Sequence, residues 1–142
     1  MYKRQDFSFS HRLRVRWAES DMQGVVFNGH YMTYCDVGIT EYWRELCAGD
    51  AAWLSAIFER MFVVRALLEY HLPARFDDEL DVCARVGRIG GSSMTVLFEI
   101  YRGDEHLVSG ENIYVYAEDG ASVRIPERLR AALRDFERVA PL

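Results

Sequence analysis

One stretch of this chain, Tyr31 to Cys47, repeats its apolar residues on a helical period, and most of what surrounds it alternates in twos. Tyr31, Tyr34, Cys35, Gly38, Ile39, Tyr42, Trp43, Leu46 and Cys47 fall at i, i+3, i+4, i+7, i+8 and onward. That spacing makes one apolar stripe on a helix of about five turns. Asn28 is placed to cap its start, and Gly49-Asp50 ends it. Gly38 lies on the stripe, where glycine costs about 1 kcal/mol of helix propensity, so a neighbouring backbone is expected to approach there. Ala51 to Arg60 reads as a short second helix.

The rest is strand. Phe7, Phe9, His11, Leu13, Val15 and Trp17 point one way, against Ser8, Ser10, Arg12, Arg14 and Arg16, as in a half-buried strand. The same alternation runs through Phe62–Leu72, Leu80–Val86 and Met94–Ile100. Leu107–Glu118 is a longer, less regular strand in which Gly110 is expected to mark a bulge. Asp119-Gly120 is a hairpin turn signal. Pro126 opens a last helix at its first position, with Leu129, Ala132, Leu133 and Phe136 on one face.

A single long helix must therefore cover one face of an antiparallel sheet of about five strands. The fold class is α+β, a curved sheet wrapped around a central helix with a C-terminal helix added. The other sheet face still carries Leu67, Leu97 and Ile113, so a homo-oligomer is expected, a dimer or a tetramer. No linker or composition break divides the 142 residues, which read as one domain, 1–142.

The formal net charge of −5 argues against nucleic acid as the main partner. Of 17 basic residues only Lys3 is lysine, an arginine excess that suits local phosphate recognition. Three cysteines without a CxxC pair, and four scattered histidines, give no disulfide scaffold and no metal site. No apolar run is long enough for a signal peptide or a membrane span, so the expected setting is cytoplasmic. Cys35 and His30 are five residues apart on the helix, about 140° around it, so they form no nucleophilic pair.

The most informative stretch is Arg16 to Tyr31, which leaves a strand, makes an irregular loop and enters the long helix. Backbone N–H groups at a helix start lack internal partners and sit at the positive end of the dipole. Aimed at a carbonyl, they stabilise an oxyanion. Gly24 and Gly29 let backbone approach a ligand. Asp21 stands where a carboxylate acts as nucleophile or general base, although such an aspartate also serves as an ordinary turn residue. Glu19 is a neighbouring carboxylate.

The pattern Asp21-x-x-Gly24-Val25-Val26-Phe27-Asn28-x-x-Tyr31, followed by Thr40-Glu41-Tyr42-Trp43-Arg44, resembles the 4-hydroxybenzoyl-CoA thioesterase family of hotdog-fold acyl-CoA thioesterases. The resemblance continues through Pro73–Leu80, Gly87–Ser93, Asp119-Gly120 and Arg124-Ile125-Pro126. It implies a hotdog fold and hydrolysis of an acyl-CoA thioester to free acid and CoA, with no cofactor. It implies a catalytic Asp21, as nucleophile or general base, and an Asn28 N–H that polarises the thioester carbonyl. Gly24, Val25, Phe27, His30 and Tyr31 become acyl-site residues. Arg88, Ser92 and Ser93 become candidates for the ribose-phosphate end of CoA, across a subunit interface. An acyl-carrier-protein thioesterase, docking on Arg12, Arg14 and Arg16, and a non-catalytic acyl-CoA-binding protein are the alternatives.

Overall fold

A computed structural model describes residues 3–142. After a short 3-10 turn the chain forms β1 (Phe9–Arg14), a second 3-10 turn (Trp17–Glu19), α1 (His30–Cys47) and α2 (Ala51–Arg60). Then come β2 (Met61–Tyr70), β3 (Glu79–Ile89), β4 (Ser93–Arg102), β5 (Glu105–Glu118), the two-residue β6 (Ala121–Ser122) and α3 (Glu127–Phe136). The strands pair antiparallel in the order β1-β3-β4-β5-β2, with β6 hairpinned on β5. The sheet curls around α1, as expected of a hotdog fold.

The core lies between α1 and the inner faces of β3 and β4. Leu80, Val82, Ala84 and Val86 alternate inward on β3, Met94, Val96, Phe98 and Ile100 on β4, and all are buried. They meet Tyr34, Cys35, Ile39, Tyr42 and Trp43, which form the buried stripe of α1. Burying each large apolar side chain contributes about 1.5–3 kcal/mol. Gly38 faces this seam, where an added Cβ would lie 2.7 Å from Cγ1 of Val82. The close neighbour is therefore a side chain, not a backbone. Gly110 is paired in register with Leu68 and Phe98, so it marks no bulge. An added Cβ there would lie 3.0 Å from Leu68 and 3.3 Å from Phe98, which makes Gly110 a clearance point beneath the helix.

Other boundaries also moved. β1 ends at Arg14, and although Val15 is still buried as the period-two reading has it, that reading fails at Trp17, which opens the 3-10 turn, is 77% exposed, and leans edge-on against Phe76 at 4.7 Å. Asn28 does not cap α1. Gly29 holds that position, already with helical torsions. Ala48 and Gly49 turn left-handed to end α1, and Asp50 caps α2 instead, accepting from the Trp53 N–H at 3.1 Å. The Asp119-Gly120 turn is present, both residues having positive φ. Pro126 is the cap of α3 rather than its first residue.

The edge strand β2 is the outlier in burial. Phe62, Val63 and Val64 are 53%, 55% and 61% exposed, with Leu67 and Tyr70 also open to solvent. One edge of β2 pairs with β5, and among the described residues the other pairs with no strand. Leu97 and Ile113, expected on the uncovered face, are only half-buried.

Candidate active site

The loop from Arg16 to Asn28 is a built structure. The Glu19 carboxylate, buried, accepts from the Arg16 N–H at 2.7 Å, from Arg16 Nε at 3.1 Å and from the Tyr34 hydroxyl at 2.8 Å. Its backbone carbonyl takes the Phe27 N–H at 2.9 Å, and Val26 N–H reaches the Ala74 carbonyl at 2.9 Å. The loop is thus pinned to α1, to its own start and to the segment after β2. Burial alone would raise the Glu19 pKa, but the donors from Arg16 and Tyr34 outweigh it and hold the group below the usual carboxylate range. In return, burial and the Glu19 charge push the Tyr34 hydroxyl well up. Glu19 is a structural anchor with its oxygens committed, so it offers no second carboxylate to the chemistry.

Asp21 is placed differently. Its N–H donates to the Val25 carbonyl and its carbonyl accepts from Gly24 N–H, at 2.9 and 3.0 Å. Gly24 has φ of +78°, the left-handed torsion that closes this turn. One carboxylate oxygen accepts the Gln23 N–H at 2.8 Å. The other has no partner among the described residues. Asp21 lines a cleft of 390 Å³ together with Val25, Phe27, Asn28, Tyr31 and the end of β2.

The floor of that cleft is the start of α1. His30 N–H bonds the Phe27 carbonyl at 3.0 Å, and Tyr31 N–H reaches the Asn28 carbonyl at a long 3.4 Å. Among the described residues the N–H groups of Asn28 and Gly29 donate to nothing, as first-turn amides do. Asp21, with a free carboxylate oxygen, and Asn28, with a free amide donor, therefore border one cavity, which is the pairing acyl transfer needs.

Of the expected acyl-site residues, Val25, Phe27 and Tyr31 line the cleft, whereas Gly24 shapes the turn and His30 packs edge-on to Phe27 at 5.9 Å. Tyr31 is buried, its hydroxyl accepting the Ala74 N–H at 2.9 Å, and burial raises its pKa. Reading the sequence missed Tyr70, His71, Leu72 and Pro73, which form the opposite wall. The abrupt stop of the Phe62–Leu72 alternation at Pro73 located the end of that strand but not what it faces. Burial pushes the Cys35 thiol up to about 12 and Cys83 up to about 11, so neither is a thiolate at neutral pH.

Arg88, Ser92 and Ser93 do not join this cleft within one chain. Ser92 accepts from Tyr116 N–H at 2.8 Å, beside the Met61 end of β2. The cleft lies at the Tyr70 end, where Arg102 reaches the Pro73 carbonyl at 3.1 Å. The ten residues of β4 separate the two, roughly 30 Å at strand rise. The arginines of β1, and Arg16 just beyond it, are also committed. Arg12 pairs with Asp81 at 3.0 Å and with Glu79, Arg14 with Asp77 at 3.2 Å and with Glu79, and Arg16 with Glu19 at 3.1 Å. Among the described residues, no helix is long and apolar enough to cross a membrane.

The sequence pattern of the thioesterase superfamily matches residues 23–109, from just after Asp21 into the first third of β5. The acyl-CoA thioester hydrolase YbgC of Escherichia coli is 25% identical over 127 residues, covering 88% of this chain and 92% of its own. The acyl-CoA thioesterase YbgC of Haemophilus influenzae is 34% identical over 95 residues, 66% of this chain and 68% of its own. A Thermus thermophilus thioesterase, solved with coenzyme A and zinc, superposes with a TM-score of 0.85 at 25% identity, covering 97% of this chain and 99% of that one.

Proposed function

The chain belongs to the thioesterase superfamily and is a thioester hydrolase, and from that premise we propose that it hydrolyses acyl-CoA thioesters in the cleft between the Asp21 loop and the end of β2. The observation that carries this reading is the pairing of a free Asp21 carboxylate oxygen with the unbonded N–H of Asn28 around one cavity. The thioester carbonyl oxygen is received by that amide, which stabilises the oxyanion that forms when the carbonyl is attacked. Asp21 either attacks the carbonyl carbon itself or takes a proton from an attacking water. In the first case the C–S bond breaks, CoA thiolate leaves, and the mixed anhydride is opened by water to regenerate the carboxylate. In the second the tetrahedral species collapses directly to acid and thiol. Relatives carrying the name acyl-CoA thioesterase support the carrier assignment.

The committed arginines in and just after β1 favour CoA over acyl carrier protein, because Arg12, Arg14 and Arg16 leave no uncompensated basic rim for an acidic protein. The nucleotide end of CoA is assigned to Arg88, Ser92 and Ser93 of a second copy. Two β2 edges pairing antiparallel would cover Phe62, Val63 and Val64. They would also set the Met61 end of one strand beside the Tyr70 end of the other, which turns the arginine hairpin of one copy toward the cleft of its neighbour.

Free-thiol release from a panel of aromatic and straight-chain acyl-CoAs tests the function, with Asp21→Asn as the control. Wild-type turnover in that variant would sink the assignment. A single turnover in labelled water tests the nucleophile route: label appearing in the Asp21 carboxylate marks an anhydride opened by water at the Asp21 carbonyl.

A further inference from the structure

Tyr70 is the last residue of the edge strand, 50% exposed, and contributes little to the core. Its hydroxyl nevertheless donates to the Asn28 carbonyl at 3.0 Å. That carbonyl receives only a long 3.4 Å bond from α1 itself, through the Tyr31 N–H. The Tyr70 ring meets the Tyr31 ring edge-on at 5.4 Å, and Tyr31 is fixed in turn by the Ala74 N–H. Asn28 is therefore held through the peptide carbonyls on both of its sides. On one side the Phe27 carbonyl is held by His30 N–H, and on the other the Asn28 carbonyl is held by Tyr70.

We propose that Tyr70 is the positioning residue for the oxyanion donor, its hydroxyl fixing the Asn28 carbonyl so that Asn28, whose own N–H is free on the cleft wall, keeps its setting. The inference rests on the proposed thioester hydrolysis and adds to it a group from the opposite wall, some 40 residues away in sequence. It also ties the setting of the donor to the strand whose free edge is open.

Tyr70→Phe keeps the ring and its contact with Tyr31 and removes only the hydroxyl. The expected result is a fall in kcat of about tenfold with KM held, smaller than the loss of roughly 100-fold or more seen when an oxyanion donor itself is removed. A spectroscopic reading separates positioning from packing. Benzoyl-CoA carrying a ¹³C carbonyl, bound to Asp21→Asn, should show its carbonyl stretch shifted below that of the free thioester. Adding Tyr70→Phe should return the stretch toward the free value. Wild-type kcat in Tyr70→Phe, or an unchanged stretch in the double variant, overturns the role of Tyr70 while leaving the function standing if Asp21→Asn is inactive. Wild-type turnover by Asp21→Asn, or no thiol release by the wild type, overturns the functional reading and this inference together.

Discussion

Two neighbouring stretches of one loop, residues 16–19 and residues 20–24, carry a carboxylate each and use it in opposite ways. Glu19 is buried and takes its donors from Arg16 and Tyr34. Asp21 gives one oxygen to Gln23 N–H and keeps the other open to a cleft. The difference teaches that a satisfied group holds the fold and an open one is left for a ligand. The same contrast recurs among the strands. β3 buries its inward face completely, whereas β2 leaves apolar side chains and one edge unpartnered.

The largest test of the contrast is Asp21→Asn. Removing the open carboxylate should lower kcat on acyl-CoA by on the order of 10³-fold, within the range of a lost acid–base or nucleophilic group, with the melting temperature unchanged. A variant that loses stability and keeps activity would reverse the roles assigned to the two acids.

Glu19→Ala should do the opposite. It leaves the Tyr34 hydroxyl and the Arg16 donors unpaired, at a cost of about 2–3 kcal/mol, or roughly 6–12 °C in the melting temperature of a chain this size. The pH dependence has a definite sign. Because the folded Glu19 pKa lies below its ordinary 4.5, its stabilisation is present above that value and is lost as the pH falls through the folded pKa. The gap between wild type and Glu19→Ala in chemical denaturation should therefore close on acidification below about pH 4.5. A gap that widens there would contradict the hydrogen-bonded, ionised Glu19.

The double change Val64→Lys with Leu67→Lys carries the distinction to the strand. Charges on a free edge oppose pairing with another strand, so self-association measured by sedimentation equilibrium should weaken by about 10–100-fold, or about 1.4–2.8 kcal/mol. The folded monomer should persist, because both side chains are exposed in a single chain. A tight oligomer surviving the change would place the contact elsewhere.

What the sequence made legible divides along the same line. Period alone identified α1, α2, the strands and α3, because burial inside one chain writes a face into the residue order. It also marked Asp21 and the start of α1, which are neighbours in sequence and so form a local motif. Trp17 was assigned inward, yet it is exposed, because period two holds only while the strand lasts and β1 ends at Arg14. Tyr70 and His71 were not seen as cleft residues, since only the pairing of β2 with β5 brings them opposite Asn28. Alternation in Phe62–Leu72 announced a strand but could not say that one edge has no mate.

The smallest expected effect belongs to Arg88, and it bears on whether the two ends of the sheet serve one site. Arg88 is exposed and far from Asp21 in its own chain, so Arg88→Ala should not touch the chemical step. If the arginine meets the phosphates of CoA from a second copy, KM for an acyl-CoA should rise by roughly threefold to tenfold, the worth of an exposed charge pair of about 1 kcal/mol. Hydrolysis of the same acyl group on a truncated thiol that lacks the nucleotide should be unaffected, and raising the salt concentration should erase the difference between wild type and variant. The Val64→Lys, Leu67→Lys monomer supplies the decisive comparison. There the Arg88→Ala change should have no further effect on KM, because no second copy is present to lend its hairpin. An Arg88→Ala effect that persists in the monomer would put the contact within one chain, across a distance the fold does not span.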